Sequence, residues 1–185
     1  MIWSIIAFIT ISLCYLLYEC LCKKDILKDL VDISPAILLL IFNKPMAAWF
    51  LMFCLIANEF IYDNWIIGGL SFAVGYVLAT LFATHFIFNW INFLICIGTI
   101  IAVAIPIFIL YKGKIIVKLG AIGYGLISIA PCLYAFSLTY NPGFLGLAIG
   151  DILLGIYGVT DNKWVRIVSD LFYFAGTCFV PLALI

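Results

Sequence analysis

The chain has 185 residues, of which 68% are apolar and only 10% carry a charge, and its mean hydropathy is +1.31. A soluble domain is about half apolar and about a quarter charged, and a small globule leaves much of its surface in water. A soluble globular fold and a disordered chain are therefore both excluded. Nine Lys and Arg residues balance nine Asp and Glu residues, which leaves no basic excess for nucleic-acid phosphates. The composition predicts an integral membrane protein with no nucleic-acid partner.

Polar and proline-containing breaks divide the chain into eight apolar segments. The apolar runs are long and continuous, whereas the strands of a membrane barrel would alternate apolar and polar residues. Because only helices and closed barrels satisfy the backbone in hydrocarbon, the pattern predicts an all-α membrane protein. The expected fold is a compact bundle of eight transmembrane helices with short loops, forming one domain over residues 1–185. The predicted spans are about 2–22, 30–42, 46–62, 66–85, 91–111, 115–138, 143–159 and 164–184.

The basic residues are distributed unevenly among the predicted connections. With eight spans, the odd-numbered connections share one side of the membrane, and the other side holds only Lys44. The positive-inside rule then predicts that both termini lie on the non-cytoplasmic side. The odd-numbered connections and their flanks hold Lys23, Lys24, Lys28, Lys112, Lys114, Lys118, Lys163 and Arg166.

Two carboxylates fall inside predicted spans. Glu59 lies somewhat past the middle of the third span, and Asp151 lies near the middle of the seventh. An ionisable group in hydrocarbon is costly, so both are candidate functional residues. If they face one cavity, they could divide into a proton donor and a base for cleavage of an ether-type bond. They could instead relay protons or bind a cation in a transporter, or they could only order the bundle through hydrogen bonds.

Spans three and seven run in the same direction, and the two acids have similar apolar surroundings. This similarity is consistent with a weak repeat of spans one to four in spans five to eight. A second pattern, the small residues Gly146 and Gly150 with Gly143 and Gly155 nearby, predicts close packing of span seven against another helix. A similar run, Gly120 to Gly125, predicts the same for span six.

The sequence shows no metal or cofactor site. His85 is the only histidine, the seven cysteines form no C-x-x-C pair, and no glycine-rich phosphate loop is present. A metal site needs several ligands brought together. We therefore expect neither a bound metal nor a cofactor.

Five short motifs follow one another along the chain, and each lies at or within a predicted span. In order, they are Ser34-Pro35, Ala57-Asn58-Glu59, Gly69-Leu70-Ser71-Phe72-Ala73-Val74-Gly75-Tyr76, the run from Gly143 to Gly150-Asp151-Ile152-Leu153-Leu154, and Arg166 followed by Phe172-Tyr173-Phe174-Ala175-Gly176.

With these motifs the chain resembles the YhhN-like eight-span membrane proteins, a family that includes lysoplasmalogenases. The resemblance covers most of the chain in span count, length and motif order. The chain departs from the family pattern at five positions. Ser34 stands where the family has Lys, Glu59 where it has Asp, Tyr76 where it has His, Gly150 where it has Ser, and Gly176 where it has Gln.

The resemblance implies hydrolysis of the vinyl ether bond of lysoplasmalogens, which gives a fatty aldehyde and a glycerophospho-base. The substrate would be a lipid of the surrounding bilayer. Asp151 and Glu59 would share the acid and base roles, and Tyr76, Tyr173 and Ser34 would contact the substrate. The alternatives are a small transporter or proton-coupled carrier, and a catalytically inactive structural membrane protein of the same fold.

Overall fold

A computed structural model describes residues 37, 41, 43–60, 65–110 and 115–184. Within these ranges the protein has six α-helices and no strand. They correspond to predicted spans three to eight, and every boundary agrees with its prediction to within two residues. The first two predicted spans lie outside the described residues, apart from Ile37 and Ile41. The helices are α1 (Pro45–Phe60), α2 (Trp65–Ala83), α3 (Trp90–Leu110), α4 (Ile115–Thr139), α5 (Pro142–Thr160) and α6 (Lys163–Leu184).

Five of the six helices, α2 to α6, are long and apolar enough to cross a membrane. Crossing the hydrocarbon core takes roughly 20 residues of helix. The remaining helix, α1, is also apolar but is shorter, with 16 residues. The prediction of an all-α fold with several helices of membrane-spanning length and apolarity is confirmed. The described residues contain six helices, and the first and second members of the predicted bundle are not among them.

The six helices form a bundle in which α4 has a central position. Consecutive helices α1 and α2 pack as one hairpin, and α5 and α6 pack as another. Helix α4 contacts α2, α3 and α5 and so connects the hairpins, while α1 also contacts α6. Helices α2 and α4 run in the same direction, since Gly69 lies beside Tyr124 and Thr80 Oγ1 donates to the Pro131 carbonyl at 3.0 Å.

The α5–α6 contact is built on glycine. A Cβ at Gly146 would lie 3.0 Å from the Phe172 carbonyl oxygen, and one at Gly150 would lie 3.1 Å from the Tyr173 nitrogen. The backbones are close enough for the Ser169 hydroxyl to donate to the Gly150 carbonyl at 2.8 Å. Predicted close packing of this segment is confirmed. The expectation for α4 was wrong at Gly123, where an added Cβ would meet nothing within 4 Å, because that side of α4 has no helix against it among the described residues.

Of the described basic residues, three lie at one end of the bundle and one lies at the other. Lys118 lies in the first turn of α4, Lys163 and Arg166 lie in the first turn of α6, and Lys44 precedes α1. Lys118 Nζ donates to the Phe108 carbonyl at 2.9 Å near the end of α3. We call the end with Lys118, Lys163 and Arg166 the basic end, and the end with Lys44 the opposite end. This distribution agrees with the predicted charge split, while the orientation relative to the cytoplasm stays a prediction.

The connection between α2 and α3 is held by one tyrosine. The buried Tyr134 hydroxyl donates to the Ile87 carbonyl at 3.0 Å and accepts from the Asn89 amide at 2.6 Å. His85 and Phe86 in this connection have left-handed φ angles of 51° and 59°. The Tyr134 hydroxyl thus satisfies two backbone groups of this connection, the Ile87 carbonyl and the Asn89 amide.

We expect Tyr134→Phe to lower the free energy of unfolding by about 1–3 kcal/mol, because two backbone groups lose a buried partner. Thermal unfolding in detergent measures the change. Tyr140→Phe is the matched control, since Tyr140 is 78% exposed and its replacement should leave stability unchanged. Equal melting temperatures for Tyr134→Phe and the parent would show that this tyrosine does not hold the connection.

Candidate functional site

Asp151 lies at the centre of a buried polar cluster. It is the middle residue of α5, as the sequence predicts, and is only 8% exposed. The Tyr124 hydroxyl lies 3.4 Å from both carboxyl oxygens, which is long for an O–H···O hydrogen bond. A carboxylate can accept about four hydrogen bonds. Asp151 therefore has capacity for a further polar partner.

Helix α4 contributes a stripe of three polar side chains to this cluster. Tyr124, Ser128 and Cys132 follow one another at intervals of four residues, so they lie on one face of the helix. Ser128 sits beside the Asp151 carboxyl group and donates its hydroxyl to the Tyr124 carbonyl at 2.9 Å. Ser128 and Cys132 are completely buried. The sequence reasoning missed this stripe, although its four-residue spacing was readable within span six.

Tyr76 of α2 and Tyr173 of α6 complete the cluster on the other side. Both lie within electrostatic reach of Asp151. Their rings are fixed by Phe72, whose centroid is 5.8 Å from that of Tyr76 and 5.1 Å from that of Tyr173. Within the described part of the chain, both hydroxyls are buried without a hydrogen-bond partner. A buried unsatisfied hydroxyl costs about 1–3 kcal/mol, so this arrangement favours a site that receives a ligand.

Helix α1 contributes the thiol of Cys54 to the polar cluster around Asp151. Cys54 is 4% exposed, and its thiol lies next to the Tyr173 hydroxyl and within electrostatic reach of Asp151. The cluster is thus built by five of the six described helices. Among the described residues, no group of three or more His, Cys, Asp or Glu side chains could hold a metal ion.

The structure brings three of the five sequence-predicted residues together, Asp151, Tyr76 and Tyr173. Ser34 lies outside the described residues. For Glu59 the backbone is described and the side chain is not. Glu59 is the penultimate residue of α1, nearer the helix end than expected. It follows Cys54 by five residues, which is about 7.5 Å along the helix axis and about 140° around it. The pairing of Glu59 with Asp151 stays a prediction.

No protein-family model matches the chain, and neither a curated protein nor a solved structure matches it. The resemblance of the sequence motifs to the YhhN-like proteins, and the activity it implies, therefore stay predictions.

Proposed function

We propose that this protein is a multi-pass membrane hydrolase that cleaves the vinyl ether bond of lysoplasmalogen-type lysophospholipids. The products are a fatty aldehyde and a glycerophospho-base. In this proposal the bundle is of the YhhN-like type, and the chain before α1 supplies two further spans to make eight. The single observation that supports it most is a buried carboxyl group at the middle of α5, Asp151, within electrostatic reach of two tyrosine hydroxyls that have no hydrogen-bond partner within the described residues.

The chemistry requires one proton donor and one water molecule. Protonated Asp151 transfers its proton to the vinyl carbon that is not bonded to oxygen, and the double-bond electrons form the new C–H bond. The neighbouring carbon becomes an oxocarbenium ion. The Asp151 carboxylate then takes a proton from water while the water oxygen bonds to that carbon, which gives a hemiacetal. The hemiacetal hydroxyl then gives up its proton as the bond to the glycerol oxygen breaks, and the electrons of that O–H bond form the aldehyde carbonyl. The glycerol oxygen takes up a proton, so the collapse is balanced and Asp151 is left protonated for the next cycle.

The surrounding side chains have separate roles in this scheme. The Tyr76 and Tyr173 hydroxyls donate hydrogen bonds to the ether oxygen or to the attacking water, which satisfies both of them. Tyr124 holds the Asp151 carboxyl group from α4. Glu59 is proposed as the second carboxylate, and Ser34 as a substrate contact. No step needs a metal or a cofactor.

Turnover in deuterium oxide tests this route. Because the first proton is delivered to carbon, the fatty aldehyde should carry one deuterium on the carbon next to its carbonyl group, detected by mass spectrometry. An aldehyde without deuterium at that carbon would contradict protonation of the vinyl ether. A proton-coupled carrier, the alternative function, would move substrate across a sealed vesicle membrane and release no aldehyde.

We expect Tyr76→Phe to lower turnover by about tenfold or more, within the range for a lost catalytic hydrogen bond, without loss of stability. The Tyr76 hydroxyl has no internal partner to lose, so its removal should leave the melting temperature unchanged or slightly raised. Aldehyde release and thermal unfolding are measured on the same preparation. Tyr134→Phe is the matched control. It should show the reverse of these effects, a lower melting temperature and the turnover of the parent. Parental turnover by Tyr76→Phe would remove this hydroxyl from the mechanism.

A further inference from the structure

An apolar groove of about 330 Å³ lies between α1 and α2. Its walls are apolar and aromatic side chains between residues 46 and 53 of α1 and between residues 78 and 82 of α2, among them Phe50, Phe53, Leu78 and Phe82. Trp49, which also lines the groove, is 58% exposed. The volume is at the lower end of the range for small-molecule pockets, which suits one hydrocarbon chain and not two.

The groove meets the Asp151 cluster through Phe50. This ring lines the groove, and its centroid lies 6.5 Å from that of Tyr76, which is within electrostatic reach of Asp151. Gly75, adjacent to Tyr76, allows the α1 wall to approach, because a Cβ there would lie 2.9 Å from Phe53 Cβ. A chain lying in the groove would therefore have one end beside the polar cluster.

Along the axis of the bundle, the groove and the residues of the basic end lie on opposite sides of Asp151. On α1, Phe50 precedes Cys54 by four residues, about 6 Å towards the opposite end of the bundle. On α4, Lys118 precedes Tyr124 by six residues, about 9 Å towards the basic end. A single-chain phospholipid has the matching order of groups: an anionic phosphate, then the bond near the glycerol, then the hydrocarbon chain.

We propose that this groove binds the hydrocarbon chain of a single-chain phospholipid, whose phosphate then lies towards Lys118, Lys163 and Arg166. The inference rests on the proposed function in so far as that lipid is the substrate. The groove then limits the length of alkenyl chain that the site accepts, and Leu78 in its wall is a specificity-determining residue.

Leu78→Trp tests the inference, with Leu81→Trp as matched control. Leu78 is partly buried in the groove wall, whereas Leu81 on the same helix is 37% exposed and does not line the groove. We expect Leu78→Trp to lower kcat/KM for a hexadecenyl lysoplasmalogen by about tenfold or more, since small changes in a hydrophobic pocket give such factors. An octenyl substrate should be spared, and Leu81→Trp should affect neither. An equal loss for both chain lengths would overturn the inference.

A second readout does not depend on turnover. A lysophosphatidylcholine with a photoreactive diazirine at the chain end should label the parent protein within residues 46–53 or 78–82, and labelling should fall in Leu78→Trp but not in Leu81→Trp. That labelling in a protein that releases no aldehyde would support the groove and contradict the proposed hydrolase. Labelling elsewhere, or no labelling of the parent protein, would overturn the inference.

Discussion

Replacing Asp151 with asparagine is expected to stop aldehyde release while the bundle stays folded. The amide has nearly the same shape as the carboxyl group and can still accept from the Tyr124 hydroxyl, which contacts both carboxyl oxygens at 3.4 Å. It cannot deliver a proton to carbon or take one from water. Loss of a general acid and base lowers rates by about a hundredfold to ten-thousandfold. The measurement is the initial rate of aldehyde formation in detergent or in vesicles.

Asp170→Asn is the control for this variant, because it makes the same substitution at an exposed position of α6. Asp170 lies 3.9 Å from Arg166 with a side chain that is 61% exposed, and such surface pairs contribute at most about 1 kcal/mol. Turnover by Asp170→Asn should equal that of the parent. If Asp151→Asn melts like the parent and still turns over at the parental rate, Asp151 is not the proton donor.

The largest effect on stability is expected from Gly143→Val at the start of α5. A Cβ at Gly143 would lie 2.5 Å from the Val180 nitrogen and 2.8 Å from the Phe179 carbonyl carbon. These are backbone atoms of α6, so neither can move aside without shifting the whole helix. Overpacking a well-packed contact costs about 1–3 kcal/mol and occasionally more. We expect a marked fall in melting temperature and in the denaturant midpoint in detergent.

Gly158→Val provides the comparison within the same helix. An added Cβ at Gly158 would meet nothing within 4 Å, so this variant should change stability little. A parallel loss in both variants would mean that the cost comes from valine in α5 and not from the α5–α6 contact. Parental stability of Gly143→Val would contradict the close approach of these two helices.

The helices and the acid at the site could be predicted from the sequence because both follow from the cost of polar groups in hydrocarbon. Charged and proline-containing breaks are unfavourable inside the membrane, so they mark the ends of the apolar runs closely. Asp151 stands out for the same reason, as a carboxyl group in an otherwise apolar segment. Its place at the middle of α5 was therefore readable from the sequence alone.

The partners of Asp151 were harder to predict. Hydroxyl and thiol groups such as those of Tyr124, Ser128 and Cys54 have a low free-energy cost in a membrane helix. The sequence alone therefore does not distinguish them from residues that only pack against neighbouring helices. Whether they face a neighbouring helix or lipid depends on how each helix is rotated, and an almost uniformly apolar helix carries little information about its rotation. The same limit explains why Gly150 and Gly123 looked alike in the sequence, although only Gly150 lies against a backbone.

The proposed vinyl ether hydrolase activity can be measured directly. The purified protein is incubated with a lysoplasmalogen, and the fatty aldehyde and the glycerophospho-base are quantified together. The proposed function predicts that both products form in equal amounts and that their formation requires Asp151. Absence of aldehyde from the folded parent protein, across head groups, chain lengths and pH, would contradict it.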